Sequence, residues 1–166
     1  MKTTAQITAG VCESAKWYIV PDYKVMLVRD NSRSVKATGS KKQGIASPKD
    51  AVGIFRAYLD GLDREVFCVA LLDTKNRVIG INTVSMGTLN STIIHPREVF
   101  KPACIIGAST IMLCHNHPSG DPEPSKDDKK ITARLAEAGK ILDITVLDHI
   151  VIGDNTYYSF REYGLL

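Results

Sequence analysis

Apolar positions in this chain fall into two rhythms, one of strands and one of helices. Residues 65–72 (EVFCVALL) are almost continuously apolar over a short span, which predicts a strand buried on both faces. Residues 77–85 (RVIGINTVS) read as its return strand, and Asp73-Thr74-Lys75-Asn76 between them predicts a hairpin. The run 105–113 predicts another buried strand. Residues 144–152 (ITVLDHIVI) and 156–160 predict two more, joined by the turn Gly153-Asp154-Asn155. Residues 86–94, rich in Thr, Ser and Asn, hold at most a short edge strand.

The helical rhythm begins at Ser47-Pro48-Lys49-Asp50. Serine is a good N-cap, proline suits the first helical position, and the aspartate lies three residues after the cap. Val52, Phe55, Tyr58 and Leu59 then share one face, and the helix stops near Gly61. Pro96 opens a second helix (PREVFKPACIIG), in which Pro102 predicts a kink. Ser125 caps a third over 126–138, with Ile131, Leu135 and Ala138 as its apolar stripe and Gly139 at the C-cap. Strands that alternate with helices yet include hairpins predict an α/β fold, a mixed β-sheet flanked by helices.

The first 46 residues read differently, as an N-terminal arm, β-rich segments at 17–20 and 23–28, and a loop at 29–44 without apolar period. Lys24, Arg29, Arg33, Lys36, Lys41 and Lys42 cluster there, and such a basic loop is either a solvated connection or a contact for phosphates. The net charge of the 166 residues is only +3, with 44% hydrophobic and 23% charged residues, an ordinary composition for a soluble protein. No run reaches the ~18 apolar residues of a membrane span, and no apolar core of a secretory signal stands at the start, so the expected location is cytoplasmic. Cys12, Cys68, Cys104 and Cys114 show no C-x-x-C spacing. Cys68 and Cys114 sit within apolar runs as buried small hydrophobes.

The chemistry concentrates in residues 113–129, LCHNHPSGDPEPSKDDK. Pro118, Gly120, Pro122 and Pro124 forbid regular structure between the strand and the helix. Side chains alternate along a strand, so His115 and His117 point one way and Asn116 the other. Two imidazoles so placed can converge on one metal ion, and three protein ligands plus a water is the catalytic zinc pattern. A third ligand is expected from the first turn of the helix, where the dipole favours carboxylates. Asp127 and Asp128 both qualify, since each lies near one edge of the apolar stripe. His95, before a helix, and His149, inside a strand, are left out of the site as structural histidines.

His115-x-His117, seven residues, then Ser125-x-x-Asp128 resembles the signature of the JAMM (MPN+) metalloprotease family. The longer string HNHPSGDPEPSKDD is similar to the RadC branch of that family, as are HPREVFKPA before it and TARLAEAGKILDITVLDHIVIGDNTYYSFREYGLL after it. The resemblance covers residues 47–166 and implies an MPN (JAB-like, cytidine-deaminase-like) α/β/α domain. It implies zinc held by His115, His117 and Asp128, with Ser125 near the bound water or the developing oxyanion. The family's upstream glutamate, the general base at the start of a core strand, matches Glu65. The resemblance further implies a peptide or isopeptide substrate. RadC-type chains also carry an association with DNA repair, often through an N-terminal helix-hairpin-helix unit, and residues 1–46 lack its paired-helix pattern. The alternatives are therefore a DNA-binding protein or a metal-dependent phosphodiesterase. A zinc deaminase is disfavoured, because the paired H-x-E and P-C-x-x-C motifs are missing. The sequence gives no oligomeric state.

Overall fold

The computed structural model describes residues 44–59, 61–87 and 94–166. The β-rich segments expected at 17–20 and 23–28, the basic cluster and most of 86–94 lie outside them. Among the described residues the elements run α1 (Pro48–Leu59), β1 (Val66–Leu72), β2 (Val78–Met86), α2 (Pro96–Ile106), β3 (Thr110–Asn116), α3 (Lys126–Ile141), β4 (Thr145–Ile152) and β5 (Tyr157–Ser159). The strands form one sheet in the order β2-β1-β3-β4-β5. β1 is antiparallel to both β2 and β3, β3 is parallel to β4, and β4 is antiparallel to β5. A parallel pair needs a crossover, and α3 supplies it.

β1 is buried at every position, and its alternating side chains feed two cores. Val66, Cys68, Ala70 and Leu72 pack with Ala51, Val52, Phe55 and Leu59 of α1. Phe67, Val69 and Leu71 pack with Val99, Phe100 and Ala103 of α2 and with Ile131 and Leu135 of α3. The mixed sheet is thus covered by helices on both faces, the α/β architecture that the alternation predicts. Burying a phenylalanine such as Phe55 or Phe67 contributes about 1.5–3 kcal/mol, so these two clusters hold the layers together. Cys114 belongs to the α1-side core, on the face opposite His115. No helix among the described residues is long and apolar enough to cross a membrane.

Two expectations need correction. Ile105 and Ile106 end α2 rather than begin a strand, and β3 runs from Thr110 through His115 to Asn116. Gly107, in the left-handed region at φ 70°, breaks the helix within the apolar run. α2 itself continues through Pro102 to Ile106. α3 likewise continues past Gly139 to Ile141, and the left-handed residue beyond it is Asp143, at φ 54°. Gly139 is small for a tertiary reason, because a Cβ there would stand 2.5 Å from the Ile144 carbonyl oxygen.

Candidate metal centre

The site lies where β3 ends and α3 begins. His115 is fully buried on the α3 side of the sheet, its ring stacked at 6.0 Å on Phe67, its partner across the β1–β3 ladder. His117 is one step beyond the strand, its N–H donating to the Ile152 carbonyl at 2.9 Å. The loop then folds back. Gly120 N–H donates to the His117 carbonyl at 3.0 Å, and Asp154 N–H to the Gly120 carbonyl at 3.0 Å. Only glycine fits at position 120, which combines φ 83° with the Asp154 carboxylate where a Cβ would stand. Ser125 then caps α3. Its hydroxyl and its N–H both donate to Asp128 Oδ2 at 2.7 Å, and Asp128 N–H donates to Ser125 Oγ at 3.1 Å. This reciprocal capping box fixes the carboxylate, and Asp128 is only 8% exposed.

The two aspartates lie in different surroundings. Asp127 points to solvent and pairs with Lys130 at 3.1 Å. Asp128 meets the histidines. His115 Nε2 lies 3.0 Å from His117 Nε2 and 3.4 Å from Asp128 Oδ1, and His117 Nε2 lies 3.8 Å from Asp128 Oδ2. Ligand atoms of all three fall within 4.8 Å of one another. A tetrahedral ion with bonds of about 2.0–2.2 Å separates its ligands by roughly 3.3–3.6 Å, so the triad has the spacing such an ion needs.

Hydrogen bonding sets which ring nitrogens face the centre. A backbone carbonyl can only accept, so His117 Nδ1 is the protonated nitrogen that donates to the Asp121 carbonyl at 2.7 Å. Thr132 Oγ1 donates to the Asp128 carbonyl at 2.6 Å, and so accepts from His149 Nδ1, also at 2.6 Å. His149 Nε2 then accepts from His115 Nδ1 at 2.9 Å. Both Nε2 atoms are left as lone pairs aimed at one point, and either a proton or a metal ion must lie between them. A chain of this kind behind a ligating imidazole orients the ring and raises its basicity.

The two rings differ in their preference for a proton. Burial pushes His115 down to about 4, against the opposing pull of Asp128, which keeps the imidazole neutral and able to ligate. Burial, with the neighbouring His115, likewise holds His149 well below the ordinary histidine value. The Asp128 carboxylate beside His117 raises it, outweighing burial, and the Glu65 charge acts in the same direction. Burial pushes Asp128 up, but His117, His115 and the Ser125 cap together hold its carboxyl below the usual range.

Glu65 stands immediately before β1, half-buried and near enough for its charge to act on His117. The Glu65 carbonyl accepts from Gly87 N–H at 2.9 Å at the end of β2. His95 precedes α2 and makes no side-chain cap. His149 is a satisfied core histidine, as expected of it, but it also touches a ligand. Its place depends on a β-bulge. Ile111 pairs with Val146 and Met112 with Asp148, so Leu147 has no partner and the faces of β4 exchange at that point. Thr132 and Asn116 also went unrecognised as parts of the site.

Comparison with known proteins follows the same residues. The model of the RadC-like JAB domain family matches residues 45–165. The chain is similar to the UPF0758 protein of Rubrobacter xylanophilus, 52% identical over 122 residues, which is 74% of this chain and 53% of that protein. It is similar to the UPF0758 protein of Desulfitobacterium hafniense, 48% identical over 134 residues, 81% of this chain and 59% of that one. The chain spans little more than half the length of these curated relatives.

Proposed function

Because the chain belongs to the RadC-like JAB domain family, we propose that its metal centre is that of a zinc-dependent hydrolase acting on a peptide or isopeptide amide. The observation that carries this reading is the convergence of two imidazole lone pairs and one fixed carboxylate, with a second carboxylate, Glu65, beside them. His115, His117 and Asp128 would hold the ion. Two neutral imidazoles and a carboxylate make a donor set that zinc accepts, with a position left for water. A bound zinc ion lowers the pKa of its water from about 15.7 to roughly 7 and polarises a carbonyl.

The remaining work falls to the chain. Glu65 accepts the proton from the attacking water and returns it to the leaving amine, which balances the hydrolysis. The Ser125 hydroxyl rests on Asp128 Oδ2. Turned toward the substrate, it donates to the carbonyl oxygen as negative charge grows there. His149 and Thr132 keep His115 in the ligating tautomer.

The test has two parts. Purified protein supplied with zinc should hold about one ion per chain, and Asp128→Ala should hold none. With peptide and isopeptide substrates, the parent protein should cleave and Glu65→Gln should not. Absence of metal from the parent protein after zinc is supplied would end the proposal.

A further inference from the structure

Asn116 stands between the two histidines in sequence, yet its side chain serves another strand. Its Oδ1 accepts from the Val66 N–H at 2.8 Å, and its Nδ2 donates to the Arg64 carbonyl at 3.0 Å. These two contacts bracket Glu65 on either side. Asn116 is itself only 7% exposed.

The sheet explains why a side chain is needed here. Phe67 and His115 are the last pair of the β1–β3 ladder. Beyond them β1 and β3 make no further pair, while β3 stays paired with β4 through Asn116 and Ile152, where the His117 N–H donates to the Ile152 carbonyl at 2.9 Å. The entry of β1 is thus left without a main-chain rung from β3. A carboxamide offers one acceptor and two donors in the geometry of a peptide group. Asn116 therefore replaces the missing rung. From the other side, Gly87 N–H donates to the Glu65 carbonyl at 2.9 Å. The main chain around Glu65 is pinned by both neighbouring strands.

We propose that Asn116 is a positioning residue for Glu65, its carboxamide clamping the entry of β1 so that the Glu65 carboxylate is held toward the metal centre. The inference rests on the reading of Glu65 as proton acceptor for its functional meaning. No other side chain makes both contacts from this position. Aspartate accepts but does not donate, serine reaches one partner, and glutamine is one methylene too long.

Cobalt provides the probe, since two imidazoles and a carboxylate also suit Co²⁺. In Co²⁺-loaded protein carrying ¹³C-glutamate, the Glu65 carboxyl carbon has a pseudocontact shift, assigned by its disappearance in Glu65→Gln. Asn116→Ala should still bind one Co²⁺ per chain, because every ligand remains. Its Glu65 shift should collapse toward the diamagnetic value, and its Val66 amide should exchange faster. Asn116→Asp, isosteric and keeping the Val66 contact, should move the shift part of the way. It carries the test alone if the alanine variant does not fold. A Glu65 shift unmoved in these variants, with Val66 exchange raised, would assign Asn116 a structural role only and overturn the proposal. Full hydrolysis by Glu65→Gln would instead remove the proton-acceptor reading, so the two failures are separable.

Discussion

Ser47 and Asp50 at the start of α1 make the same reciprocal contacts as Ser125 and Asp128 at the start of α3. At α1 the serine N–H and hydroxyl both donate to Asp50 Oδ2 at 2.9 Å, and Asp50 N–H returns a longer bond to Ser47 Oγ at 3.4 Å. At α3 the corresponding distances are 2.7, 2.7 and 3.1 Å. The Ser-x-x-Asp pattern is in both places a solution to the unsatisfied N–H groups of a first turn. What differs is the opposite wall. Asp50 is partly exposed, and its carboxyl is lowered by the Ser47 contacts. Asp128 is buried against His115 and His117, brought there by β3. A capping carboxylate becomes a candidate ligand only when the sheet sets imidazoles before it.

This comparison can be broken most sharply by exchanging the aspartates' fates. Asp128→Ala should abolish metal binding, whereas Asp50→Ala should leave about one ion per chain, both read by metal analysis of the purified protein. Loss of metal from the Asp50 variant would erase the distinction. Next in size, Glu65→Gln should keep the metal while hydrolysis falls by about 10²–10⁴-fold, the range of a general base. Ser125→Ala should lower turnover by about 10²–10³-fold, as for one oxyanion donor. Ser47→Ala should leave turnover alone and cost only about 1 kcal/mol of stability, seen in thermal unfolding. Thr132→Val should weaken metal affinity by about 10–100-fold without removing a ligand, measured by competition with a chelator.

A further effect is one of pH. His115 is held neutral, its folded pKa pushed down to about 4 from 6.5. Below pH 6.5 the unfolded chain binds a proton that the folded chain refuses. This contribution to stability is present above pH 6.5 and is lost as pH falls toward 4. His117, raised by Asp128, pulls the other way. His149, also held low by burial, adds to the loss. Melting of the metal-free protein across this window should show it, and a His115→Phe variant should show less of it.

Much of this domain was legible because burial writes its period into the chain. The continuous run of β1 and the apolar faces of α1 and α3 were read correctly, since layered packing requires them. The histidine pair, the loop prolines and the Ser125 cap were legible because they are local. Asp128 over Asp127 was not legible from periodicity, since both flank the apolar stripe and only contact with β3 separates them. Ile105 and Ile106 misled because an apolar run crosses from the end of α2 toward β3, with Gly107 as the sole break. Gly139 misled because its smallness answers to Ile144, a tertiary neighbour rather than a helix end. His149 was unreadable as a partner of His115, because a bulge at Leu147 reverses the alternation that would have placed it.

The three candidate ligands belong to one contiguous strand-loop-helix segment, while Glu65 arrives through pairing between β1 and β3. Fifty residues separate Val66 from its Asn116 partner. Closing the short loop that gathers the ligands costs little entropy, and closing the long one costs more. The candidate ligands and the candidate base thus come together at different contact orders. A chain that has zipped only its local segment already owns a place for an ion, and the ion in turn would reward that partial assembly. A descendant in which the β1–β3 register slips would keep the three candidate ligands together and lose the carboxylate beside them. The division would let the metal site outlive the hydrolysis proposed for it.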